Sequence, residues 1–152
     1  MAQAAKRAQP VPRDRVGFLL ALAGGLSVRN FNRVLEPVGL RSRHHTVMAA
    51  AADSGGMSQR ELADFLGVDP SAVVALVDDL ERAGLVRRDP HPDDRRTRLI
   101  VLTRKGSQVY RKTAVLARKV DAELLSVLTA AERKTLEELL SRVVSVDLPP
   151  DQ

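Results

Sequence analysis

Apolar residues recur with helical spacing along most of this chain. Near the start, Val16, Leu19, Leu20, Ala23 and Leu26 follow a period of about 3.6 residues. The same pattern predicts helices at residues 13–36, 42–52, 58–66, 70–83, 103–128 and 130–146. It breaks at residues 85–86 and 99–102, where short β-branched or leucine-rich runs flank a charged loop. The chain is therefore predicted to be mainly α, with six helices and one small β-hairpin.

Local capping signals support three of these helix starts. Ser58 with Glu61, and Thr129 with Glu132, have the spacing of a capping box, in which each side chain bonds the other residue's backbone amide. Asp69 followed by Pro70 combines a favoured N-cap with a favoured first helical residue. These signals place helix boundaries more firmly than periodicity alone.

Composition narrows the possible functions. The chain has 152 residues, 44% of them hydrophobic and 28% charged, which is typical of one globular domain. It contains no cysteine, so disulfides, thiolate metal sites and cysteine nucleophiles are excluded. The apolar run at residues 16–26 is too short to cross a bilayer and does not fit a signal peptide, so we expect a cytoplasmic protein without a membrane partner.

Charge is distributed unevenly along the chain. Residues 82–119 hold half of all lysines and arginines and carry a net charge of +9, whereas residues 54–81 carry −5. A concentration of basic residues of this kind indicates a polyanionic partner, although a solvated basic face is the plainer alternative. The scarcity of aromatic residues, one Tyr, three Phe and no Trp, argues against stacking on single-stranded nucleic acid.

The predicted helices at 58–66 and 70–83, joined by a turn at Gly67, form a candidate helix-turn-helix. In that arrangement the second helix enters the major groove of DNA, and we call it the reading helix. The hairpin that follows would be a wing. Its Arg95, Arg96 and Arg98 suit an adjacent minor groove, where negative potential attracts arginine.

Over about residues 13–146 the sequence resembles the MarR family of winged helix-turn-helix regulators (multiple antibiotic resistance regulators). The resemblance rests on MSQRELA at residues 57–63, LERAGLV at 80–86, PDDRR at 92–96 and LTRKG at 102–106. It implies a homodimer in which the first and last helices interlace, with each reading helix in one half-site of a near-palindromic double-stranded operator. The implied units are an arm at residues 1–12, a dimerisation region at 13–36 and 103–146, a DNA-binding domain at 40–102 and a tail at 147–152.

The resemblance also implies the residues that contact DNA. Arg96 would enter the minor groove, and Asp94 would brace the wing. The full set of expected DNA-binding residues is Gln59, Ser71, Ala72, Val74, Ala75, Asp94, Arg95, Arg96 and Arg98.

The reading helix departs from the common family pattern. Val74, Ala75 and Asp79 stand where members often carry Thr, Arg and a basic residue, so few side chains here can form paired hydrogen bonds with bases. Two explanations remain open. In the first, specificity comes more from contacts with thymine methyl groups, from DNA shape and from phosphate contacts. In the second, binding is weak until residues 82–119 supply the attraction.

Many relatives of this type release DNA when an anionic aromatic compound binds beside the dimerisation helices. An arginine can pair with a carboxylate and an imidazole can bond a phenol, although core packing is the competing explanation for such residues. The candidate ligand-binding residues are Arg15, Phe18, Arg43, His44, His45 and Met48.

Other chemistries find little support in the sequence. His44 and His45 are neighbours on a helix and point about 100° apart, so we expect no metal site and no cofactor. Because no nucleophile elbow, phosphate loop or zinc-protease motif is present, we expect no enzymatic activity. The alternative to a ligand-responsive repressor is a constitutive architectural or partner-binding winged-helix protein without a ligand.

Overall fold

The computed structural model describes residues 15–145, which form six α-helices and one three-stranded antiparallel sheet. The helices are α1 (Val16–Leu35), α2 (Ser42–Ser54), α3 (Gln59–Leu66), α4 (Pro70–Arg82), α5 (Arg104–Leu124) and α6 (Ala130–Val144). The strands are β1 (Met57–Ser58), β2 (Val86–Pro90) and β3 (Arg98–Leu102), in the order β1-β3-β2. The predicted fold class is confirmed, while the predicted arm and tail lie outside the described residues.

The capping interactions form as the sequence predicts. The Ser58 hydroxyl accepts the Glu61 amide at 3.2 Å, and the Glu61 carboxylate accepts the Ser58 amide at 2.7 Å. Thr129 and Glu132 repeat this reciprocal pair at the start of α6. Asp69 accepts the amide of Ser71 at 2.8 Å and caps α4. Each bond satisfies a backbone amide that has no partner within its helix.

The hydrophobic core lies beneath the helix-turn-helix. Buried side chains from α2, α3, α4 and the sheet meet there, together with the end of α1. The largest of them are Leu35, Met48, Leu62, Leu80 and Ile100. The base of the wing and the reading helix therefore pack against the same core.

The two ends of the described chain expose apolar residues. Helix α6 has no buried residue, and Leu139 is 49% exposed. On α1, Leu19, Leu22 and Leu26 are also exposed. Helices α1 and α6 thus present apolar surface that a single chain leaves uncovered.

Between residues 15 and 145, no helix has both the length and the apolar composition needed to cross a membrane.

Two local features differ from the sequence-based expectations. Helix α5 ends at Leu124 rather than near residue 128. Just beyond this end, the Ser126 amide donates to the Glu123 carbonyl three residues back and so leaves the four-residue helical pattern. Val127, which falls within the predicted helix at 103–128, lies in the following turn and is 87% exposed.

Strand β1 was not predicted. Its two residues pair with β3 in the register Met57↔Ile100 and Ser58↔Leu99. Since α3 starts at the next residue, β1 ties the first helix of the helix-turn-helix to the wing.

Candidate nucleic-acid interface

The reading helix α4 has a buried face and an outward face. Val73 and Val77 are buried, while Val74 is 39% exposed and lies beside exposed Ala75. Ser71 is also exposed, but its hydroxyl donates to Asp69 at 2.5 Å and so belongs to the helix cap. The expected DNA-facing residues therefore point outward, with half-buried Ala72 at their margin. They form a small, mostly apolar surface suited to thymine methyl groups.

The wing tip is folded around the side chain of Asp94. One carboxylate oxygen accepts the Arg96 amide at 2.9 Å, and the other accepts the Thr97 hydroxyl at 2.7 Å. These hydrogen bonds, with that from Thr97 the strongest, lower the pKa of Asp94 below its ordinary value. Asp94 thus braces the tip through the backbone of Arg96 and forms no ion pair with its guanidinium.

The wing also carries three exposed arginines, Arg95, Arg96 and Arg98. Among the residues that the structure describes, none of them takes part in an ion pair. The neighbouring Arg87 differs, because its Nε atom donates to Asp89 of the same strand at 2.8 Å. The three wing arginines are therefore available to phosphates or to a narrow minor groove.

Arg88 is a functional candidate that the sequence reasoning missed. Its Nη2 atom donates to Asp78 at 2.5 Å and its Nη1 atom donates to Glu81, both on α4. Its Nε atom donates to the side-chain oxygen of Gln59 on α3 at 3.2 Å. Gln59, expected to contact DNA, thus has its carbonyl oxygen engaged within the protein. No local motif reveals this cluster, because the partners of Arg88 are 7, 10 and 29 residues away.

Comparison with known proteins agrees with this geometry. The MarR family model matches residues 40–97. A protein named as a transcriptional regulatory protein for the hcr operon of Thauera aromatica is 32% identical over 133 residues, covering 87% of this chain and 80% of its own length. The crystal structure of a mutant MarR from E. coli complexed with operator DNA superposes with a TM-score of 0.75 at 30% identity, covering 84% of this chain and 92% of that one.

The chain belongs to the MarR family. A further structure, CouR from Rhodococcus jostii RHA1 bound to p-coumaroyl-CoA, matches with a TM-score of 0.80 and 31% identity, over 93% of this chain and 99% of that one. MarR-family relatives are named as regulators of transcription, which agrees with the expectation that this protein is not an enzyme.

The ligand-binding residues expected from the MarR resemblance do not form one cluster in a single chain. His45 contacts Phe31, with ring centroids 5.0 Å apart, near the end of α1. Phe18 lies 13 residues earlier on the same helix, about 20 Å away at 1.5 Å per residue, and Arg15 precedes it. Grouping Arg15 and Phe18 with the histidines was therefore wrong within one protomer. Met48 is 0% exposed and belongs to the core.

His45 sits at the junction of α1, α2 and α5. Its ring lies between Phe31 and Tyr110, and its Nδ1 atom is 2.9 Å from the hydroxyl of Thr113. Desolvation by burial lowers the pKa of His45 below its ordinary value, so the neutral ring is favoured here. The main role of His45 in this MarR-family chain is therefore to pack between α1, α2 and α5.

His44 lies against the reading helix. It is 8% exposed, and its Nδ1 atom accepts the Arg41 amide at 3.1 Å, so the neutral ring carries its proton on Nε2. Nε2 is 3.5 Å from a carboxylate oxygen of Asp79 on α4 and has no hydrogen-bond partner within the described chain. Asp79 in turn pairs with Arg82.

Two adjoining cavities open beside His44 and Asp79. The smaller, about 170 Å³, reaches Lys105 and Val109 of α5, and the larger is an open cleft of about 720 Å³. Three arginines line the larger cleft, and none forms an ion pair within residues 15–145; they are Arg29, Arg33 and Arg41. Exposed Arg43 lines neither cavity. The same residues 15–145 contain no group of three side chains arranged to hold a metal ion.

Proposed function

We propose that this protein is a homodimeric repressor of the MarR type. It binds a near-palindromic double-stranded operator, and a small anionic aromatic ligand releases it. The observation that carries the DNA-binding role is the braced wing, which presents exposed Arg95, Arg96 and Arg98 beside the outward face of α4. The MarR relative crystallised with operator DNA supports the same assignment.

The exposed apolar surface of α1 and α6 supports the proposed dimer. Leucines and valines of these helices are exposed in one chain, and an isologous contact between two copies would bury both sets. Sedimentation velocity at micromolar concentration should show a single dimeric species. A folded monomer under those conditions would contradict the proposal.

The DNA-binding role is tested by comparing two arginines. Arg96→Ala removes a wing guanidinium and should weaken operator binding by about 1–3 kcal/mol. Arg118→Ala is the matched control, because Arg118 is also exposed but lies on α5, far along the chain from the wing. The measurement is titration of a duplex enriched from a random pool by the unaltered protein, beside a scrambled duplex of equal length.

The alternative function is a constitutive architectural or partner-binding winged-helix protein. One observation favours it: the polar side chains beside Val74 and Ala75 on α4 are already engaged within the protein, since the Ser71 hydroxyl donates to Asp69 and the Asp78 carboxylate accepts from Arg88. Such a protein would show steep salt dependence but little sequence preference. Equal losses for Arg96→Ala and Arg118→Ala on both duplexes would support this alternative.

The ligand role is supported by the cleft at His44. Its arginines outnumber its two carboxylates, Glu36 and Asp79. His44 directs towards the reading helix a buried Nε2 atom that makes no hydrogen bond within the described residues, although Asp79 lies 3.5 Å away. An anionic guest could satisfy these groups, and a ligand that prefers one position of α4 would shift the DNA-binding equilibrium. The relative CouR, crystallised with p-coumaroyl-CoA bound, supports an aromatic guest for this fold.

Salicylate at millimolar concentration is the first probe for this role. We expect it to raise the melting temperature and to reduce operator affinity, with a coupling of about 1–3 kcal/mol. His44→Ala and Arg33→Ala should remove both effects, whereas Arg43→Ala, on α2 but outside the cleft, should retain them. If a broad panel of aromatic acids neither stabilises the protein nor releases DNA, the result favours the constitutive alternative.

A further inference from the structure

The wing has two separate attachments to the helix-turn-helix. On one side, β1 pairs with β3 and ties it to the start of α3. On the other side, Arg88 of β2 reaches α4 through Asp78 and Glu81. Beyond Arg88, the hydrogen bonds of residues 91–97 that the structure shows stay within the tip loop. Arg88 is therefore the outermost side chain of the wing seen to be anchored to the reading helix.

A small rotation at this anchor would produce a large displacement at the tip. The loop apex lies about five residues beyond Arg88, or about 16 Å at strand spacing. Rotating the hairpin by about 10° would then move Arg95 and Arg96, which lie near the apex, by about 3 Å, which exceeds the tolerance of a hydrogen bond. Placing the wing and α4 in neighbouring grooves together thus requires a fixed angle between them.

We propose that Arg88 is a positioning residue for DNA recognition, which fixes the direction of the wing relative to α4. The planar guanidinium suits this task, because it bonds Asp78, Glu81 and Gln59 at the same time in set directions. A lysine would supply the charge without the fork. Since the Arg88 side chain is still 23% exposed, its ion pairs contribute modestly to stability, and its main effect is on geometry.

A competing explanation is that Arg88 only neutralises two carboxylates that would repel DNA. The two explanations differ when the carboxylates are removed together with the arginine. If charge masking is the whole role, the triple variant R88M/D78N/E81Q binds DNA like the unaltered protein. If positioning is the role, the triple variant remains as weak as R88M.

The direct test measures the wing angle without DNA. Because the chain contains no cysteine, nitroxide labels can be attached at Ala75→Cys on α4 and Asp93→Cys on the wing loop. Labelled dimers are diluted with unlabelled protein. Pulsed electron–electron double resonance then gives the distribution of distances between the two labels. With Arg88 present we expect a narrow distribution. R88M, R88K and the pair D78N/E81Q should each broaden it.

The matched control is R87M. Arg87 is adjacent in β2, but its side chain pairs with Asp89 of its own strand and does not reach α4, so the distribution should stay narrow. Melting temperatures establish that every variant is folded. A distribution as narrow for folded R88M and R88K as for the parent would overturn the proposal.

The DNA readout rests on the proposed function and is kept separate. On a duplex enriched by the parent protein, R88M should lose about tenfold in affinity, while binding to a scrambled duplex changes little. Restored affinity in the triple variant would overturn positioning in favour of charge masking. If the parent enriches no sequence, the proposed function fails, and the label distances still decide the role of Arg88.

Discussion

Gly106 lies close to the backbone of Leu85, where α5 meets the base of the wing. A Cβ atom at this position would lie 1.8 Å from the carbonyl oxygen of Leu85 and 2.8 Å from its carbonyl carbon. The same carbonyl accepts the Thr103 amide at 3.0 Å, and the Gly106 amide donates to the Thr103 hydroxyl at 2.9 Å. Relief of the clash would therefore disturb the cap of α5 or the start of β2.

The net cost of Gly106→Ala can be worked from these contacts. Alanine is favoured over glycine in helices by at most about 0.8–1 kcal/mol, the value for a helix interior, and Gly106 lies in the first turn of α5. Against this, a contact of 1.8 Å must open by more than about 1 Å, and overpacking of this kind costs about 1–3 kcal/mol. Loss of the Thr103 cap adds about 1 kcal/mol. We expect a net destabilisation of about 2 kcal/mol, or a fall of about 4–8 °C in Tm.

Thermal unfolding followed by circular dichroism, at one fixed protein concentration, measures this difference. Ser107→Ala is the matched control, because Ser107 is the next residue of the same helical turn and its hydroxyl makes no hydrogen bond within the described residues. That variant should melt within about 1 °C of the parent. Should Gly106→Ala melt at or above the control, the close approach does not constrain the joint and the reasoning fails.

Three further predictions concern single side chains. Because burial lowers the pKa of His45 below its ordinary 6.5, the unfolded chain binds more protons, and stability should fall as pH drops below about 6.5. His45→Asn should flatten that part of the profile, and unchanged slopes in thermal melts between about pH 7.5 and 5 would refute it. Asp94→Ala should speed hydrogen exchange at the amides of Arg96 and Thr97 with little change in Tm; equal exchange rates would show that Asp94 does not brace the tip. Ser58→Ala should cost about 1 kcal/mol in urea unfolding by removing the α3 cap, and no loss would assign the cap to water.

Helix boundaries could be predicted where the deciding interaction is local. The capping boxes at Ser58 and Thr129 join residues three apart, so both partners of each hydrogen bond lie within one short sequence motif. The end of α5 lacks such a signal. No glycine or proline follows Leu124 before α6, and the turn is made by backbone bonds that many sequences permit. Periodicity alone consequently extended that helix by four residues beyond its end.

Interactions between distant residues could not be predicted from the pattern. Strand β1 exists because Met57 finds a partner in Ile100, and two residues carry too little periodicity to indicate a strand. The sequence pattern grouped Arg15 and Phe18 with the histidines as candidate ligand-binding residues. Within one protomer, however, both lie towards the opposite end of α1 from Phe31, which His45 contacts.

The net negative charge of residues 54–81 has a different meaning once the partners of its carboxylates are known. Residues 54–81 carry a net −5, which would oppose DNA if the carboxylates were free. Instead, Asp78 and Glu81 bind Arg88, Asp79 binds Arg82, and Glu61 caps α3.

The Asp69 cap of α4 limits which residues can attract the DNA phosphates. Asp69 occupies the N-terminus of α4, the position where a helix would otherwise favour a phosphate. Attraction must therefore come from residues outside this segment, above all from the wing arginines that no carboxylate neutralises in residues 15–145. The sequence left two explanations of DNA binding open. The engagement of these carboxylates within the protein favours the one in which residues 82–119 supply the binding energy. In that explanation α4 adds sequence discrimination only once the wing is in place.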